Sequence, residues 1–248
     1  MTWHFIDSGL NTGAYNMQFD LELANKCSND EAFFRIYKWK PYCISLGANQ
    51  SFKDVNLEKT SQAGIDVVKR PTGGRAILHA EELTYSVIIP LNYSYSPREL
   101  YYRISNALIK GLELYNPSLA AVELENIQPD FLQFLEEPAG TLCFASTAKN
   151  EVKFNGKKLI GSAQRKMNKL ILQHGSILCS PVHRMLADYI NCDSQTRNNL
   201  SIELAEKTTE LESILHEKID YDKLKICLVK GFEACWQINF EGSVNYYG

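Results

Sequence analysis

The sequence predicts an α+β fold, a mixed or largely antiparallel sheet flanked by helices, formed by one compact domain over residues 1–248. Three observations predict it. Extended and helical runs follow one another in an order that suits α+β rather than an all-helical or all-strand chain. No internal repeat, low-complexity segment or Pro/Ser-rich linker divides the sequence. A length of 248 residues is enough to bury a sizeable core without disulfide or metal staples.

The elements follow from their spacing. Residues 14–27 place Met17, Leu21 and Ala24 at helical intervals. Residues 33–39 alternate, with Arg35 and Lys38 among aromatics, and 42–46 alternate again after Pro41, so both read as strands. A short helix is predicted over 54–63, stopped by Gly64. Val67-Val68 ends a strand, and another runs from Leu83 to Ile89. Residues 97–115 form a long amphipathic helix, with Pro97 in its first turn and Leu100, Ile104, Leu108 and Leu112 on one stripe. Residues 120–125 read as a strand. The stretch 126–142 has no clean period and two prolines, a length that suits a lid or binding segment. Further strands are predicted at 151–155, after the Gly156 turn at 159–160, and at 170–178. The last is interrupted at Gly175, which predicts a bulge or a close backbone approach. Helices follow at 181–190, 206–217 and 221–235, then a final strand at 236–240.

Composition excludes several classes. Apolar content of 45% and charged content of 22% are those of a globular protein. A net charge of −3 gives no global reason to bind nucleic acid or an anionic membrane. The first residues lack a signal-peptide pattern, and no apolar run is long enough to span a bilayer, so a cytoplasmic location with no membrane partner is expected. Seven irregularly spaced cysteines suggest reduced thiols, mostly buried. Cys179 and His183 share helical spacing, but no second pair completes a metal site, and none is expected.

The chain is organised around residues 66–86. There Arg70-Pro-Thr-Gly-Gly-Arg75 forms a turn whose Gly73 and Gly74 leave the backbone bare and free to take φ > 0. Such a loop either cradles an anion between its arginines or leaves a slot for a thin apolar chain, while spacing alone reads equally as a hairpin turn. Farther on, residues 149–169 carry seven basic side chains and one acid, Glu151, whereas 111–148 carry six acids and no Lys or Arg. That stretch is either a solvated face or a docking surface for an acidic partner.

Six motifs in order resemble the biotin/lipoate protein ligase superfamily, most closely its octanoyltransferase branch. They are Trp3–Gly9, Ala14-Tyr-Asn-Met17, Arg70–Arg75, Glu82-Leu-Thr-Tyr-Ser-Val87, Gly156-Lys-Lys-Leu-Ile-Gly-Ser-Ala-Gln164 and Gln173-His-Gly-Ser-Ile-Leu178. The resemblance runs from Trp3 to about Phe240. It implies transfer of an octanoyl group from acyl carrier protein, through a thioester on Cys143, to a lysine of a lipoyl domain such as the glycine cleavage H protein or a 2-oxoacid dehydrogenase E2. It implies no cofactor. The alternative within the superfamily is an ATP-dependent lipoate–protein ligase, which would use ATP and Mg. A non-catalytic binder of lipoyl domains is a third reading, disfavoured by the intact Lys158 and glycine loop.

Residue by residue, the resemblance assigns Cys143, in Cys-Phe-Ala-Ser-Thr147, and Lys158 as catalytic. It places Arg70, Thr72, Gly73, Gly74, His79, Gly161, Ser162, Ala163, His174 and Gly175 around the substrate. Two departures stand out. Ala80 follows His79 where the family often has Asp, and Ala145-Ser146-Thr147 stands where relatives commonly have a Pro-Ser pair. By chemistry alone, a relay through cysteine needs a thiolate, and a neighbouring ammonium favours one.

Overall fold

Strict alternation through the strand Glu31–Trp39 sends Phe34 and Ile36 to one face of a sheet and Arg35, Tyr37 and Trp39 to the other, and this division sets the architecture. The structure, a computed structural model, describes residues 1–91, 95–125 and 151–243. In chain order the elements are β1 (Thr2–Asn11), α1 (Gly13–Lys26), β2 (Glu31–Trp39), β3 (Cys43–Leu46), α2 (Leu57–Gln62), β4 (Asp66–Lys69), β5 (Ile77–His79), β6 (Glu82–Pro90) and α3 (Pro97–Tyr115). Then come β7 (Val122–Leu124), β8 (Val152–Phe154), β9 (Lys157–Met167), β10 (Leu170–Leu178), α4 (Ser194–Lys207), α5 (Leu211–Leu215), α6 (Tyr221–Trp236) and β11 (Phe240–Ser243). Short 3-10 turns occupy Phe52–Asp54, Pro117–Ala121 and Pro181–Tyr189.

The larger sheet has the order β11-β1-β2-β6-β10-β9-β8-β7. β1 runs parallel to β2 and β11, and the remaining neighbours are antiparallel. A smaller sheet, β4-β3-β5, is also mixed. This is the α+β mixed-sheet fold that the sequence predicts. Helices α3 and α6 cover the Phe34/Ile36 face, and their leucines and Phe232 fill the main core with Tyr85, Val87 and Ile89. The two helices cross at glycines: a Cβ on Gly231 would lie 2.4 Å from the Gly111 nitrogen. The start of α3 is fixed by a capping box, Ser96 with Glu99, and by Pro97. Helix α1 lies against the opposite face, capped by Thr12.

Three sequence expectations are corrected, and at Gly175 one of two alternatives is decided. Residues 54–63 split into a 3-10 turn and the shorter helix α2. The helix expected at 206–217 is α4 at Ser194–Lys207 followed by the short α5. Only Leu200 and Leu204 of α4 are buried, so its apolar pattern is faint, and Asp193 caps it through the Thr196 N–H instead. Trp236 belongs to α6, which Gln237 ends with φ +53°; the final strand starts at Phe240. Gly175 makes no bulge, since β10 pairs in continuous register with Tyr85 of β6 and Ser162 of β9. Close approach is the reason for glycine there: a Cβ would meet the Gly161 carbonyl at 2.5 Å.

Candidate active site

A cleft of about 320 Å³ opens where β2, β6, β10 and β9 of the larger sheet face the smaller sheet. Its walls take Met17 from α1, Tyr37 and Trp39 from β2, Ser45 from β3, Ile77 and His79 from β5, and Thr84 from β6. Gly161, Ser162 and Ala163 of β9 and His174, Gly175 and Ser176 of β10 complete it, with Arg70 at the end of β4. Seven of the residues assigned from sequence therefore line one cleft: Arg70, His79, Gly161, Ser162, Ala163, His174 and Gly175. The small residues of β9 and β10 narrow it to a slot.

The glycine loop lies behind the cleft wall, joined to it through Arg70 and through the Thr72 hydroxyl on His174. Thr72 is wholly buried, and the Ala48 N–H donates to its carbonyl at 2.9 Å. Gly74 takes φ +92°, and a Cβ on Gly47 would lie 1.9 Å from the Gly74 carbonyl oxygen. Gly47 is therefore as necessary to the loop as Gly74, though no motif pointed to it. Neither Gly73 nor Gly74 lines the cleft, and only Gly74 adopts a positive φ. Arg70 is not an exposed anion receptor. Its guanidinium donates to the carbonyls of Ser45 at 2.9 Å, Gly73 at 2.9 Å and Arg75 at 2.7 Å, so it clamps the loop from beneath.

Both histidines are buried between a hydroxyl and a carboxylate. His174 Nε2 lies 2.5 Å from the Thr72 hydroxyl, and its Nδ1 faces Asp20 at 3.8 Å. Burial pushes the His174 pKa below the ordinary imidazole value against the pull of Asp20. Burial acts to raise the Asp20 pKa, but the Arg35 guanidinium at 2.8 Å, together with His174, holds it below the usual carboxylate range. His79 lies between the Ser45 hydroxyl and Glu82, 2.7 Å from each, and Trp39 stacks on its ring at 4.0 Å. Ala80, where relatives often carry Asp, is buried and contributes no polar group.

Lys158 is no surface lysine. It lies on β9 three residues before Gly161, wholly buried, with Nζ 2.9 Å from the Glu151 carboxylate. The Thr209 N–H donates to the Lys158 carbonyl, and the Glu125 N–H to that of Glu151, so backbone bonds hold both residues. Cys143 lies outside the described residues, as do Lys149 and the predicted lid at 126–142. Within the basic stretch, Lys153 pairs with Glu125 and Arg165 donates to the Pro71 carbonyl. Lys166 and Lys169 stand exposed around the β9–β10 turn.

Sequence reasoning missed Met17, Tyr37, Trp39 and Ser45 in the walls, and the carboxylates Asp20, Glu82 and Glu151 behind them. Two signals were present. Arg35, Tyr37 and Trp39 share strand parity, and Glu151 is the lone acid in a basic run. Among the described residues, no cluster of His, Cys, Asp and Glu is placed to hold a metal ion, and no helix is long and apolar enough to cross a membrane.

Lys158 is not among the residues that line the slot, although it shares β9 with Gly161, Ser162 and Ala163. The lipoyl protein ligase A/B catalytic domain model matches residues 12–233, and the chain belongs to that family. Within it, the chain is similar to proteins named octanoyltransferase LipM. It is 33% identical over 253 residues to that of Clostridioides difficile, covering 99% of this chain and 91% of the relative. It is 32% identical over 239 residues to that of Staphylococcus aureus, covering 94% and 86%. Among solved structures, a lipoate-protein ligase A bound with ATP superposes with a TM-score of 0.77 at 17% identity, over 99% of this chain and 90% of the other. The bipartite lipoate protein ligase of Thermoplasma acidophilum, described with its E2 lipoyl domain, gives 0.76 at 17%, over 99% and 89%. At these identities the structural likeness bears on fold alone.

Proposed function

We propose that this protein is a cytoplasmic octanoyltransferase of lipoate biosynthesis. It moves an octanoyl group from acyl carrier protein, through a thioester on Cys143, to a lysine of a lipoyl domain such as the glycine cleavage H protein or an E2 subunit. The observation that carries the reading is the narrow slot, with its histidines held between partners, in a chain whose relatives are named octanoyltransferases. None of the six described cysteines, Cys227 included, lines the slot, which is consistent with Cys143 as the nucleophile. Burial pushes the thiols of Cys27 (to about 11), Cys43, Cys179, Cys192 and Cys235 upward, away from thiolate.

The reaction has two acyl transfers. The Cys143 thiolate attacks the carrier thioester carbonyl; the new C–S bond forms, the old one breaks, and the carrier's thiolate leaves. The acceptor's neutral amine then attacks the Cys143 thioester, the amide C–N bond forms, the C–S bond breaks, and the proton lost by the amine passes to the departing Cys143 sulfur. The Lys158 ammonium is the positive charge that favours the thiolate in the first step. No cofactor is needed. The test incubates the protein with octanoyl carrier protein and apo lipoyl domain, with and without ATP. ATP-independent octanoylation supports the transferase. Transfer only from free acid with ATP and Mg supports the ligase. No transfer under either condition supports a non-catalytic binder.

A further inference from the structure

Glu82 is a buried carboxylate with one crowded oxygen and one bare one. Its Oε1 lies 2.7 Å from His79 Nδ1 and accepts from Thr84 Oγ1 at 2.5 Å and Ser176 Oγ at 3.0 Å. Its Oε2 is buried and has no partner among the described residues. On the far side of the ring, Ser45 Oγ sits 2.7 Å from His79 Nε2 and accepts from Arg70 at 3.3 Å. These contacts form one chain: Arg70, Ser45, His79, Glu82.

The ends of that chain dictate its direction. A guanidinium only donates, and an ionised carboxylate only accepts. Arg70 therefore donates to Ser45, Ser45 passes its single proton to Nε2, and the ring's own proton sits on Nδ1, facing Glu82. An imidazolium would direct a second N–H at Ser45, which already accepts from Arg70, and the serine proton would then have no acceptor in the chain. The same carboxylate also holds the stacked indole, because Trp39 Nε1 donates to Thr84 Oγ1 at 2.7 Å and Thr84 donates to Glu82. At the other end Arg70 clamps the Gly73 and Arg75 carbonyls of the glycine loop.

We propose that Glu82 is a positioning residue of the site. It fixes His79 as the neutral Nδ1–H tautomer and, through Ser45 and Arg70, ties the slot wall to the glycine loop. The consequence for rate rests on the acyl-transfer reading; the tautomer does not.

The test is long-range ¹H–¹⁵N spectroscopy of the full chain labelled at histidine, with His79 assigned through His79→Gln, alongside octanoyl transfer. In the wild type at pH 7.5, His79 should show protonated Nδ1 and bare Nε2. Glu82→Leu, which leaves the Nδ1–H without its carboxylate acceptor, should abolish that pattern and lower kcat by about tenfold or more with little change in KM. Ser45→Ala should keep the Nδ1–H pattern, because Glu82 remains. An Nε2–H or doubly protonated His79 in the wild type overturns the proposal, and this arm stands even if Glu82→Leu fails to fold. An unchanged tautomer and rate in folded Glu82→Leu overturns it equally. If the wild type shows the Nδ1–H form but transfers no acyl group, the reading of function fails and the assignment of the tautomer stands.

Discussion

The buried pair Lys158–Glu151 can be separated into its structural and chemical parts by a double-mutant cycle. The two side chains are 0% and 4% exposed, with 2.9 Å between Nζ and the carboxylate. Removing one partner of such a pair takes the opposite charge away from the other, at a cost of about 3–5 kcal/mol. Against a total stability of about 5–15 kcal/mol, that is a large fraction. For a domain of this size it corresponds to a fall in Tm of roughly 6–20 °C. Lys158→Met and Glu151→Gln should each show a loss of this order in urea unfolding followed by tryptophan fluorescence. The double variant removes both charges and should lose less than the sum of the singles, by several kcal/mol. Octanoyl transfer should nevertheless stay abolished in the double variant, because the ammonium is gone. Strictly additive losses would refute the coupling read from the geometry. Transfer restored in the double variant would refute a chemical role for Lys158.

Three further outcomes are expected. Cys143→Ala should abolish carrier-dependent transfer with little change in the unfolding midpoint, and full activity in that variant would contradict the relay. Transfer at subsaturating partner should weaken as salt rises past physiological strength, and reversing the exposed Lys166 and Lys169 should raise KM more than it lowers kcat; salt-independent kinetics would assign these lysines to ordinary surface. Burial holds both His174 and His183 below the ordinary imidazole value. Near and below pH ~6.5 the unfolded chain therefore binds protons that the folded chain does not, and stability should fall progressively as pH drops through that value toward the lower folded ones. Urea midpoints that stay flat from pH 7.5 to 5.5 would contradict that assignment.

Local pattern made the elements legible where one apolar stripe sufficed. Helix α3 shows this: Pro97 in its first turn and its Leu100, Ile104, Leu108, Leu112 stripe specify both its start and its buried face. Helix α4 was not legible, because two buried leucines in fourteen residues give almost no period. The glycines and histidines of the slot were assigned through the family resemblance, because spacing alone reads the Arg70–Arg75 turn as an ordinary hairpin and a buried histidine as a core residue. The carboxylates behind the slot were not assigned. Asp20 sits on a helix 15 residues from Arg35, and Glu82 looks like any acid beside Glu81 until the sheet turns it inward. Lys158 shows the limit most plainly: in sequence it is one of seven basic residues scattered through 149–169, and only the placing of β8 and β9 buries it on Glu151.

The most direct measurement of the central claim is intact-mass spectrometry of the protein mixed with octanoyl carrier protein in the absence of ATP and of any lipoyl domain, quenched in acid and mapped by proteolysis. The thioester relay predicts a mass gain of one octanoyl group, labile to hydroxylamine and located on the peptide that contains Cys143. On addition of apo lipoyl domain the label should pass to that domain's lysine. A stable, unlabelled protein under these conditions, or a label on any other cysteine, would contradict it.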